Sequence, residues 1–319
     1  MRDVYIINPA AGIEDSTVEL TKEIRKHYGD GCKILITEGV GDDLIKARAE
    51  AETGDEVRIF ACGGDGTSFE VLNGIFGYNN ASIGVIPIGS ANDFIKYFGF
   101  DSKKAFLDIE NQKNGNLIPI DLIKAGDKYC MNQCCAGLDA QVADSMKDFK
   151  RLPFVSGSMS YNLAVVKAFL GKIGINMKVT ADGEIFKEGS VLFAICANAR
   201  VYGGGYVSAP NAEISDGLLD CVTIDTVKKL QVPRLLSVYK KGKHEELDVC
   251  TMCRCKTFKF EADREIPVSL DGEIIHTDKF ECEIVEKGIN FALPYSLCDK
   301  YSVEKETTET KTEAELLTK

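Results

Sequence analysis

Short apolar runs alternate with amphipathic stretches through the first hundred positions. VYIINP, KILIT, VRIFAC and IGVIPI read as strands, and TVELTKEIRKHY, DDLIKARAEAE and FEVLNGIF between them read as helices. Strands that alternate with helices predict a parallel sheet covered on both faces, a three-layer α/β domain. From about residue 118 the texture changes. IPIDLIKAG, KYCMNQCC, INMKVTA, SVLFAICAN, LLDCVTI and TFKFEA are strand-like and separated by short turns, which predicts a second, mainly antiparallel β domain. One helical segment interrupts it, SYNLAVVKAFLGKI (160–173), with Leu163, Val166 and Leu170 on one face. Such a face packs on a core more readily than on lipid. SVEKETTETKTEAELLTK has almost nothing to bury, so a disordered acidic tail is expected over 302–319.

The 319 residues, 45% of them hydrophobic, suffice for two cores. A formal charge of −11 argues against nucleic acid as a partner, because that affinity rests on cations neutralising phosphates. It also means that any membrane contact needs a local basic and apolar face. No 18-residue apolar run appears and the chain opens directly on a strand, so a soluble, cytoplasmic protein is expected. The 12 cysteines lie mostly in strand-like segments, where buried thiols behave as small hydrophobes. Their tightest group, Cys250, Cys253 and Cys255 in VCTMCRC, has no second CxxC or spaced histidine pair to complete a zinc site.

Candidate chemistry sits in three turns. CGGDGT, after the strand VRIFAC, is a strand, glycine turn and helix start, a geometry that directs free backbone N–H groups and the helix dipole at an anion. It is neither a Walker motif nor GxGxxG. Asp65 within it is out of place beside phosphates unless a hard cation such as Mg²⁺ lies between them. The other reading makes it an ordinary turn or capping residue. NPAAG (8–12) and PIGSANDF (87–94), which offers Ser90 and Asn92, follow the first and fourth strands. Three small-residue turns at the carboxyl ends of parallel strands converge on one crevice, and Thr37 at the end of KILIT joins the same edge.

NPAAG, GGDGT, GSANDF, NQCCAGLDAQV, SDGLLD and LDGE, in this order, resemble the soluble bacterial lipid kinases with a diacylglycerol-kinase catalytic domain, relatives of sphingosine and ceramide kinases. The resemblance spans about residues 1–297. It implies ATP bound by Asn8, Pro9, Ala10, Ala11 and Gly12, by Thr37, by Gly63, Gly64, Asp65, Gly66, Thr67, Ser68 and Phe69, and by Ser90. It places the nucleotide between an N-terminal α/β domain (1–122) and a C-terminal β-sandwich domain (123–287), with a returning segment (288–301) joining the first. Asp65 then acts through water and Mg²⁺ on the ATP phosphates, and Glu273 is the general base, with Asp121 in the same hydrogen-bonded network. A second, structural Mg²⁺ is implied at Asp216 with the carbonyls of Glu213 and Leu218; read without the family, Asp216-Gly217 is a hairpin turn.

Ser90 stands where the family has threonine, Lys96 where arginine is common, and Ile13 where a basic residue is frequent. The expected activity is ATP- and Mg²⁺-dependent phosphorylation of the hydroxyl of diacylglycerol or a related lipid, by a protein that visits the membrane transiently and is a possible homodimer. KDFKR (147–151), Phe154 and the 160–173 helix are candidate membrane contacts. A kinase of a soluble alcohol, NAD included, and a nucleotide-binding regulator are the alternatives; Asp65, Asp216 and Glu273 weigh against the regulator, since a sensor needs no general base.

Overall fold

The computed structural model describes residues 1–150, 163, 167, 171 and 173–301. The side chains of the basic run 147–151, Phe154, most of the 160–173 segment and the tail from 302 lie outside the described residues.

The first half follows the predicted alternation: β1 (Arg2–Ile7), α1 (Thr17–Tyr28), β2 (Lys33–Ile36), α2 (Asp42–Ala51), β3 (Val57–Gly63), α3 (Asp65–Ile75) and β4 (Ala81–Pro87). The strands are parallel in the order β4-β3-β1-β2. All seven residues of β3 and of β4 are buried, because helices cover both sides of the sheet. Val4, Ile6, Ile59, Ala61, Ile83 and Val85 pack on one side, and Tyr5, Ile7, Phe60, Cys62 and Ile86 on the other. Period-2 alternation within continuously apolar runs thus supplies two cores at once.

Two short helices, α4 (Lys103–Leu107) and α5 (Ile109–Lys113), lead into the second domain. It comprises β5 (Asn116–Ala125), β6 (Lys128–Cys130), β7 (Gln133–Gly137), α6 (Leu138–Lys150), β8 (Ile175–Ala181), β9 (Glu184–Ala197), β10 (Val201–Tyr202), β11 (Tyr206–Val207), β12 (Leu219–Asp225), α7 (Val232–Lys240), β13 (Cys250–Cys255), β14 (Thr257–Leu270) and β15 (Glu273–Leu293). A helix, α8 (Tyr295–Tyr301), follows. The strand pairings within this domain are antiparallel. The architecture is an N-terminal three-layer α/β domain joined to a mainly antiparallel β-sandwich domain.

No flexible linker separates the two sheets. β15 pairs with β14 at its start and, after a register shift between Val285 and Ile289, lies parallel to β4 through Asn290 and Phe291. One 21-residue strand therefore runs from the sandwich into the α/β sheet, so both sides of the crevice are built on continuous hydrogen-bonded structure.

Candidate active site

β1, β3 and β4 end side by side, and the three turns that follow them touch. The N–H of Asn8 donates to the carbonyl of Cys62 at 3.0 Å, and that of Gly89 to the carbonyl of Gly63 at 2.9 Å. A Cβ on Gly89 would stand 2.3 Å from the Cα of Gly64, and one on Gly12, at φ +86°, would stand 2.7 Å from the carbonyl oxygen of Ile88. These approaches admit only glycine. Asn8 joins the turns through its side chain: Oδ1 accepts from the N–H of Ala10 at 3.0 Å, while Nδ2 donates to Thr67 Oγ1 at 3.0 Å and Asp43 Oδ2 at 3.3 Å. Thr37 is buried beside them, its N–H donating to the carbonyl of Ile7 at 2.9 Å, and Ser90 is exposed at the rim. The turn after Asn8 closes by an Ala11 N–H to Asn8 carbonyl bond at 3.1 Å, with Pro9 between them.

Asp65 opens α3, and its carboxylate faces the third turn. It accepts the N–H of Asn92 at 2.9 Å and that of Asp93 at 2.7 Å, while Asn92 Nδ2 donates to the carbonyl of Gly63 at 2.9 Å. Asn92 sits at φ +48°, in the left-handed region that asparagine tolerates best among residues with a side chain. The two sequence readings of Asp65 are therefore not exclusive. As a turn residue it clamps two loops together, and each oxygen keeps a second lone pair able to accept another bond. Gly66 and Thr67 follow it in the first helical turn, where N–H groups have no intrahelical acceptor. Phe69 departs from expectation: its ring is buried among Ile123, Ala125 and Cys134 of the sandwich core, so it anchors α3 and shows no side chain to a ligand.

Glu273 comes to the same place from far along the chain. It follows a two-residue hairpin, Asp271-Gly272, both at positive φ, that joins β14 to β15 with Leu270 opposite Glu273. Its Oε1 lies 3.3 Å from where a Cβ on Gly66 would be, directly over the start of α3. Asp271 holds the hairpin by accepting N–H bonds from Met131, Asn132 and Gln133 at 2.7–3.1 Å.

Beside Asp65 a cavity of about 470 Å³ opens into the sandwich domain. Asp65, Ser68, Asn92 and Asp93 form its mouth, Asp271 and Gly272 one side, and Cys135, Leu138, Val142, Phe193, Leu236 and Tyr239 its apolar interior. In the lining Tyr202 donates to Asp139 Oδ2 at 2.8 Å, and Tyr239 donates to the Tyr202 hydroxyl at 3.3 Å. Burial pushes the Asp139 carboxyl upward, against the bonds from Cys135, Tyr202 and its own helix. Asp93 ties the mouth shut on one side by accepting the N–H of Gly204 at 3.1 Å.

Asp121 stands elsewhere. Its carboxylate accepts the N–H of Gly217 and that of Lys287, each at 2.7 Å, so it pins the 213–218 turn to the bulge of β15 and bonds to neither Asp65 nor Glu273. Asp216-Gly217 is not a hairpin; it ends a loop ahead of β12. Asp216 accepts from the N–H of Leu218 at 3.1 Å and from the guanidinium of Arg254, which also lies 3.4 Å from Asp220. Glu213 is bonded to Arg200 and to the hydroxyl of Tyr97. In the ligand-free chain the Arg254 guanidinium supplies the countercharge of Asp216, so a cation held there with the carbonyls of Glu213 and Leu218 would compete with Arg254.

Asp43, Asp93, Asp271, Asp139 and Tyr202 were not anticipated as parts of the site. Asp43 reads as an acidic first-turn helix residue and Asp271 as a turn residue, which they also are; the pair Asp139 and Tyr202 has no local signal. Of the histidines, His244 is a core residue bonded to the carbonyl of Ser208 at 3.0 Å.

The acids have a consequence for stability. Burial pushes Asp65 up to about 6, with Asp93 adding repulsion, and pushes Asp43 and Asp271 each up to about 7, with Glu70 and Asp42 adding repulsion on the first and Asp65 on the second. An acid whose folded pKa is raised binds its proton more tightly in the native state, so its stabilising contribution is complete below the unfolded pKa near 4 and is lost as pH rises to about 7. His244, lowered by burial, acts in the opposite sense. The ligand-free protein is expected to be roughly 2–6 kcal/mol more stable at pH 5 than at pH 8. Urea unfolding at the two pH values checks this, and equal stabilities contradict it.

Residues 3–125 match the diacylglycerol kinase catalytic domain and residues 132–290 the YegS C-terminal NAD kinase beta sandwich-like domain. The chain is 31% identical over 260 residues to a Shewanella frigidimarina protein named "Probable lipid kinase YegS-like", covering 79% of this chain and 81% of that one. It is 29% identical over 256 residues to a diacylglycerol kinase of Mycobacterium tuberculosis, covering 78% and 80%. A crystal structure of a diacylglycerol kinase from Bacillus anthracis superposes with a TM-score of 0.66 at 22% identity, over 93% of this chain and 98% of that one, and shows the same fold. With a nucleotide-type crevice and an apolar cavity meeting at Asp65, and with both domains matched along their length, the chain belongs to the lipid kinase family that joins a diacylglycerol kinase catalytic domain to a YegS-type β-sandwich, and it is an enzyme of that family.

Proposed function

We propose that this kinase transfers the γ-phosphoryl group of ATP to the hydroxyl of diacylglycerol or a closely related lipid, at a membrane surface it visits transiently. The observation that carries the reading is the apolar cavity opening at Asp65 beside the start of α3 and Glu273. The glycines at 12 and 89 let the turns meet backbone to backbone, and the N–H groups opening α3 supply donors for phosphates. The cavity receives the apolar part of the acceptor, and its volume lies in the usual range for ligand sites. A hydroxyl at the mouth then sits between the γ-phosphate and Glu273. Glu273 accepts the hydroxyl proton as the oxygen attacks phosphorus. Mg²⁺ bound with ATP would supply neutralisation of phosphate charge, and Asp65 would hold its water shell. Asp65 and Asn92 meanwhile fix the second and third turns in one geometry, which is the alignment that phosphoryl transfer demands. Asp121 acts here as a positioning residue for the 213–218 turn.

Labelled ATP incubated with diacylglycerol, ceramide, glycolipids, NAD and small soluble alcohols in mixed micelles tests the acceptor. Phosphorylated lipid supports the reading; a labelled soluble product formed without lipid or detergent overturns it. In the same assay Glu273→Gln is expected to lower kcat by about 10²–10⁴, since it removes the carboxylate that accepts the hydroxyl proton.

A further inference from the structure

Cysteines that are far apart in sequence line up in the sandwich. On the antiparallel strands β9, β12 and β13, Cys221 is directly opposite Cys196 on one side and Cys253 on the other, and Cys134 on β7 is opposite Cys196. Opposed residues of an antiparallel pair share a face, with Cβ atoms about 4.5–5.5 Å apart. Cys255, two positions along β13 from Cys253, points to that face too. Its sulfur lies 3.3 Å from that of Cys221. The sulfurs of Cys221, Cys253 and Cys255 all lie within 4.8 Å of one another. Zinc–sulfur bonds of about 2.3 Å in a tetrahedral site imply sulfur–sulfur separations of about 3.8 Å, so these three need little movement to share one ion.

We propose that Cys221, Cys253 and Cys255 form a thiolate site for a thiophilic d¹⁰ cation, Zn²⁺ or Cu⁺, that fastens the outer strand β13 to β12. Cys196 flanks Cys221 on the opposite side of β12 from Cys253 and lies outside the group of three, so the fourth position is left to solvent or another ligand. The sequence alone shows an incomplete set in VCTMCRC; the register of β12 supplies the missing ligand from thirty-odd residues upstream. Cys221 and Cys255 are buried and Cys253 is half-exposed, so the site has a route for the ion at Cys253. Binding exchanges S–H bonds for S–metal bonds and releases the thiol protons to solvent, with no change of oxidation state. The thiols lie in the core that contains Phe258 and Phe260, on the opposite face of β9 and β12 from Phe193, Val222 and the substrate cavity. The site is thus separate from the phosphoryl-transfer machinery.

The test uses the full chain, stripped with chelator and kept reduced and anaerobic, then titrated in separate arms with Zn²⁺ and with Cu⁺ against a chromophoric competitor. Bound metal is read by elemental mass spectrometry and released protons by a pH indicator. One ion per chain in either arm is expected, with proton release; the arm that holds the tighter ion names the cation. Cys253→Ser and Cys255→Ser should each weaken retention by about a hundredfold or more, while Cys298→Ser, outside the group, leaves it unchanged. Circular dichroism confirms that each variant is folded. Failure of both ions to bind stoichiometrically, retention unaltered in folded Cys253→Ser, or a Cys221–Cys255 disulfide in protein purified anaerobically would overturn the proposal. Kinase activity enters none of these readings.

Discussion

Asp65→Asn is expected to lower phosphoryl transfer by about a hundred- to a thousandfold while leaving the melting temperature within a few degrees of the parent. The stability half of this expectation comes from two opposed effects. Replacing a carboxylate whose pKa is raised to about 6 by burial removes a charge that folding disfavours, and two pKa units correspond to at most about 3 kcal/mol at neutral pH, less because water reaches the cavity mouth. Against that, the amide offers one acceptor where the carboxylate offers two, so one of the N–H groups of Asn92 and Asp93 is left facing an NH₂, at about 1–3 kcal/mol. The activity half follows from losing both the clamp between the turns and the charge beside the phosphates. Titrating ATP with and without Mg²⁺ separates the two tasks. If Asp65 holds the metal's water shell, the benefit of Mg²⁺ to binding disappears in the variant; if it only clamps, the benefit persists at weaker overall affinity. Activity near the parent's in folded Asp65→Asn would remove both roles.

Gly89→Ala is expected to weaken nucleotide binding at least tenfold and to lower the melting temperature by roughly 3–10 °C. The added methyl would stand 2.3 Å from Gly64 Cα, 2.8 Å from Gly64 N and 3.1 Å from the Gly63 carbonyl oxygen, all of them backbone. A flexible side chain could swing away, but here the turns themselves must separate. Their separation stretches the Gly89 N–H to Gly63 carbonyl bond and pulls Asn92 away from Asp65. Gly39→Ala is the control, since nothing lies within 4 Å of its Cβ position and its φ is not positive; it should behave as the parent. Calorimetry and ATP titration of both variants decide the matter, and an unshifted Gly89→Ala would mean that the contact between the turns is not what shapes the crevice.

The two predictions rest on different kinds of knowledge. That Asp65 and Gly89 belong to small-residue turns was legible in GGDGT and PIGSANDF, because a turn that brings backbone to a ligand needs glycine locally whatever surrounds it. The strand and helix order of the first domain was equally legible, since period and burial are local properties of VRIFAC or TVELTKEIRKHY. What Asp65 bonds to was not legible, because its partners lie 27 and 28 residues away and are backbone groups, which carry no residue-type signal. Phe69 shows the same gap from the other side: placed within a motif, it turns out to serve the core.

The register of the sandwich was hidden as well. A strand's pattern tells which residues share a face but not which strand lies opposite, so the joining of Cys221 to Cys253 and Cys255, and of Glu273 to the start of α3, awaited the pairing of β12 with β13 and of β14 with β15. The partners of Asp121 and Asp216 were hidden for that reason too, the N–H groups of Gly217 and Lys287 for one and Arg254 for the other. By itself the amino-acid sequence determined the elements, the turns and the family, because these depend on neighbours along the chain. Tertiary structure alone decided the cavity, the meeting of Glu273 with α3 and the thiol cluster, because each is made by packing segments whose separation in sequence leaves no periodic trace.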